Sequence, residues 1–208
     1  MKKKLLIALA IVLVVAMSVT GTLAYLTANT GAVTNTFTVG KVFDEEDSDT
    51  HKNFELLEHG ITGKPGEYTL DLQSEVSGNE YTVMPGVNIP KDPFVRVNRP
   101  VGVDVYLFVE VVDGTSEQLT VTVDPAKWTK LAGVTGTHGG DVYTLASGKL
   151  TEGNTLEATY ILANNEIAVA NATIVNPGKV TFYGYLIQAA GFTSAEDAAV
   201  TGFSFTKA

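Results

Sequence analysis

The chain contains no cysteine. That absence excludes disulfide frameworks, thiolate zinc sites and cysteine nucleophiles together, although it does not fix the compartment. Basic residues are also scarce. Fourteen Lys and Arg stand against 23 Asp and Glu, a net charge of −9. A surface held to phosphates by counterion release is therefore not expected, and no nucleic-acid partner follows from the composition. Proline is sparse at 7 in 208 residues, and the 20 glycines follow no collagen period. With 45% hydrophobic residues the chain is too apolar to remain disordered, and its length allows one large core.

One long apolar run is present, at the N-terminus. Lys2, Lys3 and Lys4 precede residues 5–19, where Ser18 is the only polar member, and Thr22, Leu23 and Ala24 follow. This is the order of a positive region, an apolar region and a small-residue cleavage site. A membrane-crossing helix needs about 20 apolar residues, so the run is short for a permanent anchor. The expectation is a signal peptide over residues 1–24, cut between Ala24 and Tyr25, with an uncleaved anchor as the alternative. Cleavage removes three lysines and no acid, leaving 11 basic against 23 acidic residues, a net charge of −12. An export signal in a cysteine-free chain points toward a Gram-positive setting.

The remainder reads as strands. Phe37 and Val39 alternate with threonines, and Val103, Val105, Leu107, Val109 and Val111 repeat at a period of two. Intervening Tyr106 and Phe108 place that second stretch at the centre of a sheet. Shorter β-rich segments fall at 68–72, 80–83, 94–98, 119–123, 142–145, 156–162, 166–175 and 180–188. Turn sequences separate most of them, including Lys64-Pro65-Gly66, Met84-Pro85-Gly86 and Asn176-Pro177-Gly178. Roughly ten short strands without helical periodicity predict an all-β, antiparallel, jelly-roll-like β-sandwich. Phe203 and Phe205 alternate with Ser204 and Thr206 as a closing strand. One short helix near the C-terminus is predicted, because Thr193 or Ser194 caps Ala195-Glu196-Asp197-Ala198-Ala199 and Glu196 stands at capping-box spacing from Thr193. It is expected to cover a sheet edge.

Sites of chemistry are few. Asp44, Glu45, Glu46, Asp47 and Asp49 crowd like charges together, which reads as a solvated loop, with a calcium site as the weaker alternative. His51 and His59 fall in a polar region read as a loop, as surface or capping residues. Neither they nor His138 form a His-Glu-x-x-His pattern. No catalytic constellation is visible, so no enzyme and no cofactor are expected. Trp128, the only tryptophan, is expected to fill the core, with ligand stacking as the alternative. Pro85-Gly86 and Lys91-Asp92-Pro93 read as turn and strand-entry chemistry without a ligand.

Several segments together resemble a known family. They are Gly21-Thr22-Leu23-Ala24-Tyr25-Leu26-Thr27, Asn35-Thr36-Phe37-Thr38-Val39-Gly40, and Pro85 through Pro93 leading into the strand at 101–112. Lys127-Trp128-Thr129-Lys130 and Tyr185 through Phe192 with Ser194-Ala195-Glu196-Asp197-Ala198 complete the set. In order and spacing they are similar to the TasA and camelysin family of exported proteins, which are processed by a SipW-type signal peptidase. The resemblance implies a secreted, jelly-roll subunit of a biofilm matrix fibre. It implies a homopolymer assembled by donor-strand complementation, with the signal peptidase and an accessory matrix or anchoring protein as further partners.

On that basis the chain divides into a signal peptide (1–24), an N-terminal segment and first strand (25–40) and a β-sandwich domain (41–208). Within the N-terminal segment, residues 25–34 are the candidate donor strand. Tyr25, Leu26, Ala28 and Val33 would supply its side chains, and main-chain hydrogen bonds its affinity. A free tail, or a strand paired within its own domain, is the competing expectation. The runner-up for function is a camelysin-like cell-surface protein, of a family with a claimed metalloprotease activity but here without a recognisable catalytic site. No Leu-Pro-x-Thr-Gly sorting motif ends the chain, and isopeptide cross-links are left open.

Overall fold

The computed structural model describes residues 42–43 and 52–207. The cleavage pair Ala24 and Tyr25, the donor residues Leu26, Ala28 and Val33, the acidic run Asp44, Glu45, Glu46, Asp47 and Asp49, and His51 lie outside the described residues.

The fold is an all-β sandwich whose described residues form twelve antiparallel strands. In the first sheet, β1 (Phe54–Thr62) runs between β2 (Thr69–Val76) and β4 (Phe94–Val97), and β9 (Leu156–Tyr160) completes the order β2-β1-β4-β9. In the second, β5 (Val105–Thr115) runs between β11 (Gly178–Gln188) and β8 (Asp141–Leu145). Beyond β8 lie β7 (Trp128–Thr135) and β12 (Thr206–Lys207), giving β11-β5-β8-β7-β12. A small third sheet joins β3 (Ile89–Pro90), β10 (Glu166–Val169) and β6 (Leu119–Thr120).

The period-two stretch is central, as predicted. Val105, Leu107, Val109 and Val111 of β5 face one core together with Val95, Val97 and Trp128. Phe108 points the other way, into a second cluster with Val142, Ala198, Ala199 and Phe205. Both faces of β5 are therefore covered, which is why its intervening residues are apolar as well. Trp128 is core, 2% exposed, with its indole N–H donating to the Tyr160 carbonyl at 2.9 Å.

Local turn chemistry behaves as expected. The Met84 carbonyl accepts from the Val87 N–H at 3.2 Å, and Gly86 takes φ +74° after Pro85, the pattern of a type II turn. The helix α1 (Ala195–Asp197) begins at Ser194, whose hydroxyl accepts from the Asp197 N–H at 3.1 Å. Asp197 reaches back to the Thr193 N–H at 2.9 Å. The N-cap is thus Ser194, one residue later than the Thr193–Glu196 spacing suggests, and the Asp197 carboxylate closes back onto Thr193. A π-turn, Ala198–Gly202, continues α1 and seats Ala198 and Ala199 on Phe108 and Val142, a sheet face rather than an edge.

Several expectations are corrected, among them the closing strand, which is Thr206–Lys207 and not the run at 203–206, because Ser204 takes φ +58°. Residues 80–83 form no strand, β10 ends at Val169 instead of continuing to 175, and the region holding His59 is not a loop but strand β1. The sequence Phe54-Glu55-Leu56-Leu57-Glu58-His59 hides its strand because its charged members are paired inside the fold rather than turned to water.

Candidate functional site: an open sheet edge beside a buried ion-pair network

Strand β11 is eleven residues long and pairs along its length with β5, from Gly178 opposite Thr115 to Gln188 opposite Val105. It ends its sheet, so among the described residues its other edge has no ladder partner. A long row of open backbone donors and acceptors is a template for another strand, and folds usually shorten, charge or cover such rows. From Val180 onward β11 is half-buried, and Lys179 near its start is its one charged residue.

Two adjoining grooves follow the first half of β11. The larger, about 380 Å³, is lined by Val180, Lys179, Tyr81, Val83, Ile89 and Leu119 among others. The smaller, about 160 Å³, is lined by Val180, Thr181, Phe182, Leu56 and Glu58 among others. Asn79, Lys91 and Val180 belong to both.

Beneath them lies a buried polar network assembled from two consecutive residue pairs. Glu58 and His59 lie on β1, and Lys91 and Asp92 on the segment that enters β4. Lys91 Nζ lies 2.6 Å from Glu58 Oε2, with side chains 10% and 4% exposed. His59 Nδ1 lies 2.6 Å from Asp92 Oδ2, and the His59 backbone N–H donates to Asp92 Oδ1 at 3.0 Å. That N–H is turned inward where the β1–β2 register breaks between His59 and Gly60. Pro93, which forces extended geometry on Asp92, helps to present both side chains to β1.

The surroundings suit charge held in pairs. Lys91 Nζ sits 5.5 Å from the Tyr81 ring centroid and 5.9 Å from that of Phe182, and the His59 ring packs 5.5 Å from Phe94. Burial, followed by the nearby carboxylates of Glu58 and Asp92, pushes the Tyr81 phenol well above its ordinary range. Its hydroxyl donates to the Pro90 carbonyl at 2.9 Å. The Asn79 amide donates to the His59 carbonyl at 2.8 Å, fastening the strandless 77–88 segment beside the groove. Glu58 Oε1 is buried and has no hydrogen-bond partner among the described residues.

His59 is therefore 9% exposed and engaged in an internal pair, which corrects its assignment as a surface or capping residue. Lys91-Asp92-Pro93 is more than strand-entry chemistry, because its two charged side chains close this network. Neither Glu58 nor Lys91 announces itself in sequence. The available signal was a charged residue directly after Leu56 and Leu57.

A second polar cluster lies on the other sheet. Glu110 of β5 is fully buried and accepts from the His138 N–H at 2.8 Å, the Gly140 N–H at 3.0 Å and the Tyr185 hydroxyl at 2.7 Å. His138 Nδ1 is 3.0 Å away, and its ring stacks on Tyr183 with centroids 3.7 Å apart. Burial pushes the Glu110 carboxyl up, but hydrogen bonds from Tyr185, Gly140 and His138 outweigh it and hold the group below its usual range. Burial and Glu110 push the Tyr185 phenol up to about 12. This cluster ties the β7–β8 turn to β11, with the Thr137 and Tyr185 hydroxyls each 3.2 Å from His138 Nδ1. Among the described residues, no three His, Asp or Glu side chains group as a metal site.

Comparison of the chain with protein-family models, with curated proteins and with solved structures returns no match.

Proposed function

We propose that the protein is an exported, non-enzymatic structural subunit or accessory of an extracellular matrix fibre, in which a strand from one copy is added to the sheet of the next. The observation that carries this is the edge of β11, eleven residues long, without a ladder partner among the described residues and flanked by grooves with mixed apolar and polar walls. Such an edge supplies main-chain hydrogen bonds for affinity, and the grooves supply seats for alternate side chains. Residues 25–34 are the proposed donor, freed at Tyr25 by a SipW-type signal peptidase. Their likeness to the corresponding stretch of the TasA and camelysin family supports the assignment.

Electron microscopy of the purified mature protein tests it. Fibres are expected from the intact chain. Deleting residues 25–34 is expected to leave a soluble monomer with unchanged β circular dichroism. Fibres of normal length from the deleted protein would refute strand donation by this segment, and unfolding of the deleted protein would show that the segment belongs to its own domain.

A further inference from the structure

Glu58 presents a problem that the described residues do not solve. Its side chain is 4% exposed, and one carboxylate oxygen is held by Lys91 Nζ at 2.6 Å. The other, Oε1, is buried without a partner among the described residues, although Glu58 lines the groove shared with Val180, Thr181 and Phe182 of β11. A buried acceptor left unpaired keeps the cost of its lost hydration. Two neighbouring donors are committed elsewhere, the Asn79 amide to the His59 carbonyl and the Tyr81 hydroxyl to the Pro90 carbonyl.

We propose that Glu58 is a specificity-determining residue of the strand-accepting groove, its free oxygen taking a hydrogen bond from a neutral side chain, asparagine or threonine, on the strand donated by a second copy. This rests on the strand-addition reading above. The chemistry follows from what is already in place. Lys91 compensates the carboxylate charge, so the pocket needs a hydrogen-bond donor and not a second cation. The open edge of β11 serves the backbone of an added strand, which leaves the carboxylate for a side chain. Residues 25–34 contain no charged side chain and offer Thr27, Asn29, Thr30 and Thr34 between apolar residues. An all-apolar strand would bury Glu58 Oε1 with nothing to satisfy it, so the groove discriminates against such strands by desolvation.

The test uses a fluorescent synthetic peptide of residues 25–34 titrated onto the full mature protein, with anisotropy as the readout. Four further peptides carry Thr27→Val, Asn29→Leu, Thr30→Val or Thr34→Val. One of the four is expected to bind about 10-fold or more weakly, while the others stay within about 3-fold. Against Glu58→Gln protein, checked for folding by circular dichroism, that penalty is expected to shrink to within about 3-fold, the signature of direct coupling.

If Glu58→Gln does not fold, peptides alone carry the test. At the sensitive position an aspartate is expected to bind more weakly than the apolar replacement, and a serine, which restores a neutral donor, to recover the loss. Absence of binding by the natural peptide would overturn strand addition, and this inference with it. Binding of all peptides alike would leave strand addition standing and overturn the role of Glu58 alone.

Discussion

Charge placed inside this protein sets its most specific residue-level expectations. Glu110 is held below its ordinary value of 4.5. It therefore stabilises the fold above the unfolded value, and this contribution is lost as pH falls through the lower folded value. Glu110→Gln is expected to cost about 1–3 kcal/mol at pH 7, because bonds to a charged acceptor become bonds to an amide that also brings an unmatched donor. The gap between wild type and variant should narrow as pH drops from about 5 to 3, measured by urea denaturation at each pH. A gap independent of pH would assign the loss to packing. For the pair of Lys91 and Glu58 the expectation is non-additive. Lys91→Met should cost about 3–5 kcal/mol by stranding a buried carboxylate, whereas the double variant Glu58→Leu, Lys91→Met should be more stable than Lys91→Met alone. Equal or greater loss in the double variant would show that packing, not charge pairing, dominates the site.

At the scale of elements, β5 and β11 form the longest ladder, and its entry depends on one backbone conformation. Gly178 has φ +75°, and a Cβ there would meet the Gly114 carbonyl oxygen at 2.1 Å. Both the dihedral and the close backbone reject a side chain, because a main-chain atom within a ladder cannot swing aside as a long side chain can. Gly178→Ala is expected to destabilise by about 1–3 kcal/mol and to raise amide exchange first at the Gly178 end of β11. Unchanged exchange there would mean that the ladder shifts to accommodate the methyl group. The charged residues on β1 act at the same scale. Arg96 of β4 bonds both Glu55 of β1, at 2.6 Å, and Glu75 of β2, at 2.9 Å, clamping three strands from one guanidinium.

For the whole molecule, net charge governs how copies meet. The full chain carries −9, and −12 if the proposed signal peptide of residues 1–24 is removed, so neighbouring copies repel one another at low ionic strength. Raised salt shortens the range of that repulsion, and mild acid begins to protonate carboxylates whose ordinary values lie near ~4. Light scattering of the mature protein is expected to rise with salt and between neutral pH and about pH 5. A flat response to both would mean that charge repulsion does not limit assembly.

Period-two apolarity and Pro-Gly turns were enough to determine an antiparallel β-sandwich, because each is a local property that neighbouring residues impose on one another. Val105 through Val111, the turn at Pro85-Gly86 and the cap at Ser194 were legible for that reason. The Thr193–Glu196 alternative missed by one residue because both spacings satisfy the same local pattern. Strand β1 was not legible, since its charges look solvent-facing until Lys91, Asp92 and Arg96 are brought to them from 33 to 41 residues away. The edge of β11 that has no ladder partner among the described residues was equally hidden. The run at 180–188 reads as a strand, but whether a strand is central or terminal depends on which others reach its two edges. Only the tertiary structure decided that, because ladder order and buried charge pairing are set by contacts between segments distant in the chain, which no local pattern encodes.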